Sequence, residues 1–230
     1  FIMQVGFVEK IGSAVSRYKA GDRLVYFRGF EPMSVIRESE GWPMEAPPPW
    51  KSPTMLDPAT FGFTALRDSQ TRVGDATAIF SLGAIGLATV ALAKLAGCYP
   101  IIAIDPIAKR RQVAESLGAD IAFSPIGLDV GAKLRELTDW RGVDTVIEYS
   151  GSVAALNAAL RGIAFGGNIA CGAFPGPYGE GLDFGGEAHM NRPNIVFTRT
   201  ESEPNRDHPN WDNARVRRTR LQMILDGKLN

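Results

Sequence analysis

Apolar and polar positions fall into two textures along the 230 residues. Near the start, Val5-Gly6-Phe7-Val8-Glu9-Lys10-Ile11-Gly12 partly alternates, and Leu24-Val25-Tyr26-Phe27 follows the turn residues Gly21-Asp22. Alternation of this kind predicts strands. Residues 31–53 are irregular, with prolines at 32, 43, 47, 48, 49 and 53. That stretch reads as a connector, with a short strand near Ser34 to Ile36. From Thr54 onward the pattern switches between helical and continuous apolar runs. Helices are expected over Pro58–Gln70, Ala84–Ala96, Ile107–Leu117, Asp129–Thr138, Val153–Ile163 and Trp211–Leu225. Strands are expected over Thr77–Phe80, Ile101–Asp105, Asp120–Phe123, Val143–Tyr149, Asn168–Ala173 and Asn194–Thr198. Strands mostly separated by helices predict an α/β fold with a doubly wound parallel sheet. The expected division is a β-rich domain over 1–53 and an α/β domain over 54–230.

The densest chemistry lies between Thr77 and Asp105. The apolar run Thr77-Ala78-Ile79-Phe80 enters the small-residue turn Ser81-Leu82-Gly83-Ala84-Ile85-Gly86, which opens a helix. The next apolar strand, Ile101-Ile102-Ala103-Ile104, ends on Asp105. This is the order of a βαβ dinucleotide-binding unit. Small residues let backbone approach a pyrophosphate, and a helix N-terminus offers it free N–H groups and partial positive charge. Asp105 is placed to accept hydrogen bonds from the adenosine ribose hydroxyls and to disfavour a 2′-phosphate, which selects NAD over NADP. The fingerprint is incomplete, because Ser81 stands where a first glycine is expected; a turn rich in glycine for packing alone is the competing reading.

Composition narrows the partners. Formal net charge is zero, which argues against a nucleic-acid partner. No apolar run approaches the roughly 20 residues that span a bilayer, so no membrane partner is expected. Cys98 and Cys171 have no C-x-x-C neighbour and read as core thiols, consistent with a cytoplasmic setting.

Several segments together carry a resemblance. Gly6-Phe7-Val8-Glu9-Lys10-Ile11-Gly12-Ser13 and Tyr18-Lys19-Ala20-Gly21-Asp22-Arg23 are similar to a stretch of the medium-chain, zinc-type alcohol dehydrogenases. Val73-Gly74-Asp75, the Ser81–Gly86 turn, Glu115-Ser116-Leu117-Gly118-Ala119-Asp120, Gly142-Val143-Asp144 and Gly166-Gly167 fit the same family's cofactor domain. The resemblance implies a Rossmann domain joined to a partial GroES-like catalytic domain, with both ends of the latter expected outside this sequence. Phe1, Ile2 and Met3 stand where the family carries Gly-His-Glu, and isoleucine cannot ligate zinc. The resemblance makes Asp57 the candidate metal ligand; the residues themselves read it as a helix N-cap followed by Pro58. The zinc-poor pattern is similar to that of the bacteriochlorophyllide hydroxyethyl dehydrogenases.

The resemblance also implies that Arg110 contacts the adenosine ribose, that Gly172, Ala173 and Phe174 line the nicotinamide, and that Thr60 packs beside it. Ser150 and Gly151 end a strand at the ligand-binding edge, and Thr198 ends another. Lys109 and Arg111 read as a solvated basic face. His189 and His208 are the only histidines and read as loop or cap residues. The expectation is an NAD-dependent oxidoreductase acting on a small secondary alcohol of polyol or sugar type, a homodimer paired near Asn194 to Thr200. The alternatives are a pigment-pathway dehydrogenase and a non-catalytic NAD-binding protein. No general base is assignable from the sequence.

Overall fold

A computed structural model of the chain describes residues 2–44, 55–174, 178–200 and 207–229. Pro47, Pro48, Pro49 and Pro53 of the expected connector, and the expected boundary after residue 53, lie outside the described residues. Two compact units are present: Phe1–Thr60 with Asp207–Asn230, and Phe61–Arg206. The division falls within helix α1 (Leu56–Asp68). The closing helix α7 (Asn213–Leu225) belongs to the first unit, whereas the sequence pattern grouped it with the second.

In the first unit, β1 (Ile2–Phe7), β2 (Arg23–Arg28) and β3 (Gly41–Pro43) form an antiparallel sheet in that order. Val5 pairs with Val25, and Val25 with Trp42. No strand forms at Ser34–Ile36; a 3-10 turn at Glu38–Glu40 leads into β3 instead. Carboxylates decide this. Glu38 accepts from the backbone N–H groups of Ser16 and Arg17, and Glu40 accepts from Arg37 N at 2.8 Å while pairing with Arg28 at 2.7 Å. Helix α7 starts at the side-chain cap Asp212, which accepts from Arg215 N at 2.7 Å.

The second unit holds a six-stranded, fully parallel sheet in the order β6-β5-β4-β7-β8-β9. Its elements run β4 (Thr77–Phe80), α2 (Ala84–Ala96), β5 (Ile101–Ile104), α3 (Ala108–Ser116), β6 (Ile121–Phe123) and α4 (Val130–Glu136). They continue through β7 (Val143–Glu148), α5 (Val153–Gly162), β8 (Ile163–Cys171), α6 (Gly186–Asn191) and β9 (Asn194–Phe197). Strands β4 and β5 are buried at every position. Burial on both faces explains why they read as continuous apolar runs rather than alternating ones. One core surrounds Phe80, Ile102, Leu134, Val146, Leu160 and Ile169.

Two elements differ from the pattern. Helix α5 stops at Gly162 and β8 begins at Ile163, because Ile163 pairs with Val143 before the register shifts to Thr145 opposite Asn168. A side chain at Gly162 would meet Leu134 Cδ1 at 2.7 Å, so glycine there lets α5 and α4 close together. The short crossover helix α6 was not expected. It is tied down by Asn191, which donates to Leu160 O at 3.0 Å and accepts from Arg135 at 2.8 Å.

Candidate dinucleotide-binding site

The strand order reverses between β4 and β7, neighbours whose following helices α2 and α5 start outward from the same sheet edge. In open α/β sheets the crevice beyond the carboxyl ends of such strands is where ligands bind. The Ser81–Gly86 turn sits there, and two of its residues explain its shape. Ser81 lies at φ +73°, the left-handed region that glycine occupies most easily. Gly86 lies so close to the turn that an added Cβ would stand 1.9 Å from Ser81 O. Glycine at 86 thus allows α2 to begin against its own turn. Gly83 is different: it caps α2, and an added Cβ there would meet nothing within 4 Å. The first intrahelical bond runs from Leu87 N to Gly83 O at 2.9 Å. The N–H groups of Ala84, Ile85 and Gly86 therefore precede the ladder of α2 and have no acceptor within it. Open space over Gly83 in front of a helix N-terminus suits a diphosphate.

Asp105 closes the back of this turn. Its side chain is 1% exposed, and its Oδ2 accepts from Leu82 N at 2.8 Å while Oδ1 accepts from Ile107 N at 2.8 Å. Arg110 Nη1 lies 3.4 Å from Oδ2. A carboxylate offers about four lone-pair sites, so acceptor capacity remains after these bonds. Arg111 departs from the expected solvated face: its Nη1 donates to Asp105 O at 2.8 Å and Pro106 O at 2.9 Å, bracing the loop below the carboxylate. Lys109 is exposed.

At the end of β7 the fully buried Glu148 folds the next turn around itself. It accepts from Ser150 N at 2.6 Å, from the Ser150 hydroxyl, and from Gly151 N at 3.1 Å. Ser150 is thereby engaged with Glu148, and Gly151 takes φ +65°. Gly172 N bonds to Glu148 O at 2.9 Å, which brings the end of β8 alongside. Ala173 is half-buried and Phe174 is fully exposed. Thr198 N bonds to Cys171 O at 3.0 Å at the end of β9. The carboxyl edge of the sheet thus gathers Ser81, Gly83, Ala84, Ile85, Gly86, Asp105, Arg110, Ser150, Gly151, Gly172 and Thr198.

Thr60 and Asp57 belong to the first unit. Thr60 is buried, and its hydroxyl donates to Leu56 O at 2.8 Å. Asp57 is not the N-cap that the residues suggested, since α1 begins one residue earlier at Leu56. Its carboxylate still falls in the first turn, where helix dipole and orphan N–H groups favour it, and Pro58 is tolerated there for want of an intrahelical acceptor. Among the described residues no three His, Cys, Asp or Glu side chains converge as a metal site, at Asp57 or elsewhere. His189 and His208 are both exposed.

Sequence reasoning passed over Glu148, Tyr149 and Thr89. Glu148 carried a signal, a carboxylate closing a buried apolar run just before Ser150-Gly151. The Thr89 and Tyr149 hydroxyls, bonded at 3.0 Å, carried none, because the two residues are 60 positions apart.

The fold and turn define a doubly wound sheet of the dinucleotide-binding class. Residues 84–202 match the family model described as zinc-binding dehydrogenase, and the chain belongs to that family. D-guloside 3-dehydrogenase of Escherichia coli (strain K12) is 41% identical over 234 residues, covering 99% of this chain and 66% of the relative. The chain thus spans just under two thirds of that curated relative. Among solved structures, galactitol-1-phosphate dehydrogenase from Escherichia coli superposes with a TM-score of 0.82 at 17% identity, covering 98% of this chain and 72% of that one. A structure from Sinorhizobium meliloti 1021 bound to NADP gives a TM-score of 0.79 at 21% identity, covering 98% and 72%. At these identities the two structures speak for the fold.

Proposed function

We propose that this chain binds a nicotinamide dinucleotide over the Ser81–Gly86 turn and serves hydride transfer to or from a secondary alcohol of polyol or sugar type. The observation that carries the reading is the open space above Gly83 at the N-terminus of α2, backed by the buried carboxylate of Asp105. The N–H groups of Ala84, Ile85 and Gly86 would face the diphosphate, and Asp105 the ribose hydroxyls, which would take the place of Arg110. NAD in preference to NADP follows from the charge of Asp105, which a 2′-phosphate would have to approach. The bound coenzyme supplies the hydride acceptor or donor; the residues of this chain anchor and orient it. The similarity to D-guloside 3-dehydrogenase supports a sugar-like alcohol as substrate.

Among the described residues no three His, Cys, Asp or Glu side chains form a donor cluster for the family's metal. No described helix is long and apolar enough to cross a membrane. The edge strand β9 is the proposed pairing surface of a homodimer, and the two free, buried cysteines support the cytoplasmic assignment.

Titration calorimetry with NAD, NADH and NADP tests the binding reading, followed by coenzyme reduction on a panel of polyols and glycosides. Binding of NAD at least about tenfold tighter than NADP is expected. Absence of heat with all three coenzymes refutes the site. Binding without turnover on any alcohol or ketone refutes the enzyme and leaves a nucleotide-binding protein.

A further inference from the structure

Tyr149 occupies the reversal point itself. It follows β7 directly, and its backbone N–H bonds to Phe80 O, the last carbonyl of β4, at 3.2 Å. Glu148 precedes it and is fully buried in its turn, so successive residues send Glu148 and Tyr149 to opposite faces of the sheet. The Tyr149 side chain goes to the α2 side, where its hydroxyl bonds to Thr89 Oγ1 at 3.0 Å. Thr89 is fully buried and held on α2 by a bond to Ile85 O at 2.8 Å. A side chain at Gly62 on α1 would stand 2.6 Å from the same Thr89 oxygen, so that hydroxyl has little freedom. On its other flank the Tyr149 ring lies against Gly172: an added Cβ there would stand 2.4 Å from ring atom Cε1. One aromatic side chain thereby bridges α2, which starts at the diphosphate turn, and the end of β8.

We propose that Tyr149 is a positioning residue for the nicotinamide half of the coenzyme: its ring, pinned at Thr89 and packed beneath Gly172, fills the crevice and sets the height of the Gly172–Phe174 turn. This rests on the dinucleotide reading of the Ser81–Gly86 turn, and it adds a division of labour to it. The adenosine and diphosphate half depends on Gly83, Gly86 and Asp105. The other half depends on the Tyr149 ring, on the β8 side of the reversal point. A smaller side chain at 149 would open a hollow beneath Gly172, into which the turn or the ring of the ligand would settle.

The test compares NADH with ADP-ribose, which keeps the adenosine, diphosphate and second ribose but lacks nicotinamide. Both are titrated into wild type, Tyr149→Ala, Tyr149→Phe and the pair Gly172→Ala and Gly172→Ala/Tyr149→Ala. Tyr149→Ala is expected to weaken NADH about tenfold, or 1.4 kcal/mol, while ADP-ribose changes less than about twofold. Tyr149→Phe keeps the ring and recovers most of the NADH affinity. Gly172→Ala, which forces a methyl against the ring, weakens NADH by a similar factor, and removing the ring in the double variant restores part of it. Equal losses for NADH and ADP-ribose overturn the proposal, as do unchanged affinities for both in Tyr149→Ala. If Tyr149→Ala does not fold, the Gly172→Ala comparison decides by the same ratio. Wild type that fails to bind ADP-ribose refutes the dinucleotide site as a whole, which is distinct from a wild type that binds both ligands with no effect of residue 149.

Discussion

Gly83 and Gly86 sit three residues apart in one turn, yet a single methyl should do opposite things to them. At Gly86 the new Cβ would lie 1.9 Å from Ser81 O, where real contacts of this kind stay beyond about 3.0 Å. Backbone, rather than a flexible side chain, must therefore yield by about an ångström. The obstructing carbonyl belongs to a residue whose N–H is fixed to Ile104 O at 2.9 Å, and whose neighbour Leu82 is fixed to Asp105. Overpacking of this kind costs about 2–3 kcal/mol. For a chain of this size that lowers the melting temperature by about 5–10 °C. At Gly83 the methyl enters open space at φ −69°, which any residue adopts, so the fold loses only the preference for glycine over alanine at a helix cap, about 1 kcal/mol or less. The same methyl, however, would stand where the diphosphate is to lie. Thermal melts and NADH titration on both variants separate the effects. Gly86→Ala should lose stability, whereas Gly83→Ala should melt within about 3 °C of wild type and lose at least about tenfold in NADH affinity. A Gly86→Ala protein as stable as wild type, or a Gly83→Ala protein that binds NADH normally, would refute the reasoning.

Three further outcomes are expected. Two Arg161 hydrogen bonds and the Ala132 N–H hold the Asp129 carboxyl below the usual carboxylate range. Its stabilising contribution is present above about pH 4 and is lost as pH falls through the depressed value, so the gap in urea midpoint between wild type and Asp129→Asn should shrink as the pH is lowered below the ordinary carboxylate range; a constant gap would contradict this. Arg135 donates to Arg161 O at 2.8 Å and to Asn191, so Arg135→Ala leaves buried acceptors unmet and should cost about 2 kcal/mol by urea denaturation, against a refuting value below about 0.5 kcal/mol. Burial pushes the Cys98 thiol up and, with the charge of Glu148 adding, pushes Cys171 up to about 12. Thiolate is thus scarce at neutral pH, and a disulfide reagent should modify both cysteines slowly in the native protein and rapidly in urea; fast native labelling would show that the core around them opens.

Where a segment's own pattern settles its conformation, sequence and structure agree closely. Helix α2 occupies Ala84–Ala96 as its spacing and the following Gly97 predict, and Gly97 closes it in the left-handed region at φ +81°. Strands β4, β5 and β7 were legible because each is a buried apolar run ended by a turn or a carboxylate. Distant partners erased the signal elsewhere. Residues 163–167 look like the tail of a helix and a glycine turn, and only the pairing of Ile163 with Val143 makes them strand. Helix α6 is six residues that begin on Gly186 behind the N-cap Gly185, and it exists because Asn191 and Ala188 find buried neighbours. In the site, Ser81 and Asp105 were visible as a turn and an acid. That Asp105 fastens the turn through Leu82 N was not, because the bond spans 23 residues.

Ser81 also holds a reserve of thermal durability. An L-residue in the left-handed region pays roughly 1 kcal/mol that glycine does not. Ser81→Gly would release that penalty and lift the melting point by a few degrees. The corner of the turn, with Ser81 at φ +73°, therefore carries strain that a glycine there would not.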